Sequence, residues 1–201
     1  MLLQPNPYLQ PLDLISVYLD TAKLNASPIS WPGATSYMNM PSGNRYIFIT
    51  VAGTQAAYID QNYYFKPGSS YTIYNVDYFG YSAKGPALVE DDLSDPVDGY
   101  AKIRLIQGAD FNHRFDWVIH DGDTLVKGIG YRDQYGDTTN FRQVKAGSYV
   151  FDLFDYDAPY TYEASLQATL EPGRIYTILS LLRPTADSVL ASIGMKLFTN
   201  K

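Results

Sequence analysis

Apolar and polar residues alternate along much of the chain with a period of two. Over residues 161–170, Tyr162, Ala164, Leu166, Ala168 and Leu170 fall on one side, and Thr161, Glu163, Ser165, Gln167 and Thr169 on the other. Over residues 101–105, Ala101, Ile103 and Leu105 alternate with Lys102 and Arg104. This spacing predicts half-buried antiparallel strands, apolar side in and polar side out. Four runs, 45–52, 71–76, 149–154 and 175–182, are apolar on both faces and suit central or covered strands. No long helix has a candidate. The best stretch, 186–195, carries Val, Ser and Ile that read equally well as strand. The pattern predicts about seven short strands in each half of the chain.

Composition supports an all-β fold. The chain has 201 residues, 46% of them apolar, enough for a substantial core. Nineteen Tyr and nine Phe suit pleated surfaces. Asp outnumbers Glu by 18 to 3, and Asp belongs in turns where Glu belongs in helices. The net charge is −6 and Lys and Arg nowhere cluster, which argues against binding nucleic acid or anionic lipid by phosphate neutralisation. There is no cysteine, which removes disulfides, thiolate metal sites and thiol nucleophiles. No run approaches the roughly 20 apolar residues of a membrane span. The opening, Met1-Leu2-Leu3-Gln4-Pro5-Asn6-Pro7, lacks the basic and apolar regions of an export signal and reads as a linker. Two readings follow, a cytoplasmic protein or a mature segment whose export signal lies outside this sequence, and the linker-like opening favours the second.

The chain repeats itself. Residues 66–73 (KPGSSYTI) match 171–178 (EPGRIYTI), 43–48 match 147–151, and 17–20 (VYLD) match 118–121 (VIHD), all in the same order. The Pro67-Gly68 and Pro172-Gly173 pairs fit type II turns, with Pro presetting φ and Gly taking the positive φ. Three collinear blocks predict two homologous domains, residues 1–96 and 97–201, each the size of an immunoglobulin-like sandwich. The expected boundary is the acidic, turn-rich stretch 90–99, with a new strand starting at Tyr100.

With the repeats aligned, the chain resembles the domain of unknown function 4397 family. The resemblance rests on the strand 101–106 with its Gln107-Gly108-Ala109-Asp110 turn and on the Asp-led strand 115–122. It rests also on the Ala146-Gly147-Ser148-Tyr149 turn and on the Glu171-Pro172-Gly173 signal with Tyr176-Thr177. The second half carries all of these. The first half lacks an evident strand before Leu12 and has Thr21-Ala22 where Asp-Gly is usual. The resemblance implies tandem β-sandwiches of a bacterial protein outside the cytoplasm, in the periplasm or on the cell surface. In some bacteria such proteins are lipoproteins, anchored through a cysteine that this sequence does not contain. The family supplies no catalytic residues.

Candidate chemistry is sparse. His113 and His120 are the only neutral-pH bases, and Asp121 beside His120 could orient it, but no nucleophile motif accompanies them, so both read as surface histidines. Three acidic groups invite calcium: Glu90-Asp91-Asp92 with Asp95 and Asp98, then Asp121 with Asp123, then Asp152, Asp155 and Asp157. None has the twelve-residue loop spacing, and no metal or cofactor is assigned. Glu90, Glu163 and Glu171 are the only glutamates for a glycosidase pair, in a fold with no obvious deep cleft. Loop aromatics are the better recognition candidates: Trp31 before Pro32-Gly33, Tyr78, Phe79 and Tyr81 around Gly80, and Tyr156 and Tyr160 beside Pro159. The reading is a non-catalytic extracytoplasmic protein that contacts glycans or envelope proteins through these rings. The alternatives are a structural spacer or assembly subunit and, further off, a hydrolase.

Overall fold

The computed structural model describes residues 1–4, 14–30, 32–54, 57–74, 87–109, 114–131, 139–158, 161–185 and 188–201. Among these the chain is all-β, with sixteen strands and no helix, so no helix is present that could cross a membrane. It divides into two compact units, Met1–Asp91 and Asp92–Lys201.

Unit 1 contains β1 (Leu2–Gln4), β2 (Ile15–Leu19), β3 (Ala22–Lys23), β4 (Gly33–Ala34), β5 (Gly43–Val51), β6 (Ala57–Phe65), β7 (Ser70–Tyr74) and β8 (Ala87–Asp91). They form two four-stranded sheets, ordered β3-β2-β5-β6 and β4-β1-β7-β8. Unit 2 contains β9 (Tyr100–Gln107), β10 (Phe115–Ile119), β11 (Thr124–Ile129), β12 (Arg142–Lys145), β13 (Gly147–Asp155), β14 (Tyr162–Leu170), β15 (Ile175–Thr185) and β16 (Ser188–Thr199). Its sheets run β11-β10-β13-β14 and β12-β9-β15-β16. Strand for strand, the two orders are the same. Pairing is antiparallel except for β1 with β7 and β9 with β15, which are parallel. Each core is formed by apolar side chains from both of its sheets. In unit 1, Ile15, Val17, Leu19, Ile47 and Ile49 pack with Ile73; in unit 2, Trp117, Phe151 and Leu153 pack with Ile103 and Ile178.

The four doubly apolar runs became β5, β7, β13 and β15, each an interior strand of its sheet. The stretch 186–195 falls largely in β16, a strand. Three expectations need correction. The residues before Leu12 do contain a strand, β1, which pairs with β7 and β4. Three residues ended by Pro5 are too short to show a period, and the partner supplies the pairing. Second, β9 is not polar on one side. Lys102 and Arg104 are both buried, because Lys102 Nζ reaches Asp92 Oδ2 (2.8 Å), Ser94 O and Ser94 Oγ, while Arg104 Nε donates to Thr177 Oγ1 (3.0 Å) and stacks over Phe141. Third, Leu19 faces Ile47 and Ile119 faces Phe151, so the ladder makes Leu19 the counterpart of Ile119 rather than of His120. The hairpin after β10 is longer than the one after β2, which hides this from a sequence match.

The turns explain why the repeated blocks repeat. Gly68 and Gly173 have φ of 75° and 78°, the conformation expected after Pro67 and Pro172. In each turn a tyrosine closes the corner: Lys66 N–H donates to Tyr71 Oη (3.0 Å), and Glu171 N–H to Tyr176 Oη (3.2 Å). Asp20 and Asp121, each at φ 53°, turn the chain out of β2 and β10; Asp tolerates this left-handed conformation better than most residues.

Candidate functional site

Of the six aromatic candidates, Tyr156 lies among the described residues. Trp31, Tyr78, Phe79, Tyr81 and Tyr160 lie outside them, as does His113. Tyr156 follows the last residue of β13. There the buried Asp155 carboxylate accepts the backbone N–H groups of Asp157 (2.8 Å) and Ala158 (3.0 Å), an Asx-type turn that bends the chain. Tyr156 N–H donates to Arg114 O (2.8 Å), next to β10. The Arg114 guanidinium carbon lies 4.3 Å from the centre of the Tyr156 ring, and Arg114 Nη2 donates to Asp157 Oδ1 (3.0 Å). That hydrogen bond raises the Arg114 pKa further. Gly128 in β11 lies beside the ring, where a Cβ would make an ordinary contact 3.4 Å from Cδ2. Tyr156 nevertheless remains 39% exposed. The arrangement is a fixed ring with a stacked cation and a pinned carboxylate, all at the surface.

His120 pairs differently from the sequence expectation. Its Nδ1 lies 2.6 Å from Asp152 Oδ2, a buried carboxylate one strand away, while Asp121 is 3.6 Å from Nε2. The Asp152 hydrogen bond, aided by the charge of Asp121, raises the His120 pKa. Position Asp152 on β13 is fixed by its register opposite Val118, a pairing no local pattern reveals.

The acidic groups disperse. Asp152 goes to His120, Asp155 to backbone N–H groups and Asp157 to Arg114. In the 90–98 stretch, Glu90 binds Lys66 (2.6 Å) and Ser69, Asp91 accepts from Tyr37 and Thr72, Asp92 binds Lys102, and Asp95 binds Lys201 (2.7 Å). Lys102 and Ser94 together hold the Asp92 carboxyl down to about 2. Among the described residues no three His, Asp or Glu side chains converge on a point suited to a metal ion. Glu163, near the start of β14, and Glu171, just past its end, lie about 25 Å apart by strand rise, too far for a glycosidase pair between them.

The sequence reading missed Arg114 and the Lys66–Glu90–Ser69 group. Arg114 carries a signal in hindsight, since it stands immediately before the Asp-led strand that starts at Phe115. No curated protein matches the chain. The sequence model of the family described as domain of unknown function (DUF4397) matches residues 10–117, a span from before β2 to Trp117 on β10, and the chain belongs to that family.

Proposed function

We propose that the chain is a non-catalytic, extracytoplasmic binding protein of tandem immunoglobulin-like sandwiches. It docks an envelope protein through the loop end of unit 2 that carries Arg114, Tyr156 and Asp157. One observation carries this reading: an exposed tyrosine with an arginine stacked at 4.3 Å and pinned by a carboxylate at 3.0 Å. Tyr and Arg are the residue types that dominate binding energy at protein interfaces. Here the two are already in contact before any partner arrives, which lowers the entropy lost on docking. A sugar needs an open ring face, and the guanidinium covers one face of Tyr156, so a protein partner suits the site better than a glycan.

The test is affinity capture from envelope fractions with the whole chain, beside a glycan array. Wild type should retain a defined envelope protein at constant stoichiometry. Tyr156→Ala and Arg114→Ala should each lose it, while Tyr64→Ala, at a ring 59% exposed in unit 1, should keep it. Equal capture by all four proteins, or binding to glycans alone, would reject the site and leave the spacer reading.

A further inference from the structure

Within unit 1 a cavity of about 510 Å³ opens where the turn after β6 meets the connection between β4 and β5. Its floor is core: Met1, Phe65 and Ile73 are all buried. Leu24, Met38 and Met40 form walls that pack against that core. We propose that this cavity is a binding site for a neutral amphiphile. An apolar chain or ring would lie on the core, with a hydroxyl or amide end at the rim.

Four features support this, and they do not depend on the docking surface of unit 2. The size falls within the roughly 300–1,000 Å³ range of small-molecule sites. Three of the chain's four methionines line it, and thioether side chains adapt to irregular apolar guests. The rim offers a hydroxyl donor, and its two cations are already engaged, the Met1 α-ammonium donating to Tyr71 O at 2.9 Å. Tyr71 Oη accepts from Lys66 N–H, which leaves its own proton to give. The Lys66 ammonium is already held by Glu90 Oε2 at 2.6 Å, and Ser69 donates to the other oxygen at 2.8 Å, so an anionic guest would have to displace Glu90. Finally, the matching Pro-Gly corner of unit 2 leaves its tyrosine less exposed. Tyr71 at the cavity is half-buried where its counterpart Tyr176 is 5% exposed.

The experiment uses two probes with the same aromatic body, N-phenyl-1-naphthylamine and its 8-sulfonate, on the whole chain labelled with [13C]methyl methionine. The neutral probe should bind in the micromolar range and shift the methyl signals of Met1, Met38 and Met40, leaving Met195, buried in unit 2, unmoved. The sulfonate should bind at least about tenfold more weakly. Met38→Trp should fill the space and abolish the neutral probe's binding. The methyl shifts report independently of whether that variant folds. No shift at Met38 and Met40, or a shift of Met195 instead, overturns the site. A sulfonate that binds as tightly as the neutral probe overturns the chemistry assigned to the guest.

Discussion

Trp117 sets two opposing costs in one side chain. The ring is fully buried in unit 2, 5.6 Å from Phe151, and its Nε1–H has no hydrogen-bond partner among the described residues. A buried donor left unpaired costs about 1–3 kcal/mol. Trp117→Phe removes that donor. It also removes roughly 40 Å³ of packed side chain, worth about 1 kcal/mol at about 24 cal/mol per Å³. The lost transfer free energy of the deleted atoms adds about 1 kcal/mol. Loss and gain are both about 2 kcal/mol, so the net change should stay within about 1 kcal/mol. Phe151→Leu, in the same core, offers no compensating gain and should cost about 1–2 kcal/mol. Hydrogen exchange of the β10 and β13 amides in the whole chain, read by mass spectrometry, reports the stability of unit 2 without mixing in unit 1. A Trp117→Phe loss above about 2.5 kcal/mol would refute the reasoning, since it would mean the indole N–H contributes to stability rather than detracting from it.

Tyr71→Phe and Tyr176→Phe each delete the acceptor that closes a Pro-Gly corner, and each should lower the stability of its own unit by about 1 kcal/mol; urea unfolding with exchange readout checks this, and a neutral result in both would remove the corner as the reason the motif repeats. Lys102→Met should raise the Asp92 pKa from about 2 back towards 3.8, as followed by carboxyl-carbon NMR, and an unchanged midpoint would contradict the pairing. Because the folded value lies below the unfolded one, the contribution of Asp92 to stability is complete above pH 3.8 and fades as pH falls towards 2; with its side chain 66% exposed, that contribution stays under about 1 kcal/mol.

Four interior strands, β5, β7, β13 and β15, were legible because their runs are apolar on both faces, whereas interior β9, with Lys102 and Arg104, was misread as polar on one side. Turn chemistry was legible at Pro67-Gly68 and Pro172-Gly173 because positive φ is a local demand that few residues meet. What stayed hidden depends on register between distant strands. His120 meets Asp152 only because β10 pairs with β13, and Lys102 looks like a solvated residue until Asp92 and Ser94 are seen around its amine. The surface cluster was half legible. Tyr156 stood out beside a loop proline, but Arg114 is forty-two positions away in the chain and reaches the ring through the fold.

The two units divide the work of the sequence between what a sheet pair needs and what it can vary. Both keep the same strand order, the same Pro-Gly corner with its tyrosine, and a left-handed Asp in the hairpin after the first strand of one sheet, one residue later in unit 2. These features set the backbone direction at the corners and hairpins. Side-chain volume between the sheets is freer, because a sandwich can keep its register while its core is filled to different extents. Unit 2 spends its aromatic residues inside, on Phe115, Trp117 and Phe151, whereas unit 1 places Ile and Val there and carries its aromatic pair Tyr18 and Phe48 on the outer side of the sheet, stacked with ring centres 4.6 Å apart. A stacked pair across neighbouring strands supports the sheet from outside by about 0.5–1.5 kcal/mol and leaves the interior less constrained. Unit 1 still buries Phe65 and Tyr74, and its cavity lies beside Phe65 and Tyr71, at the corner rather than between the exchanged positions, with the strand order unchanged.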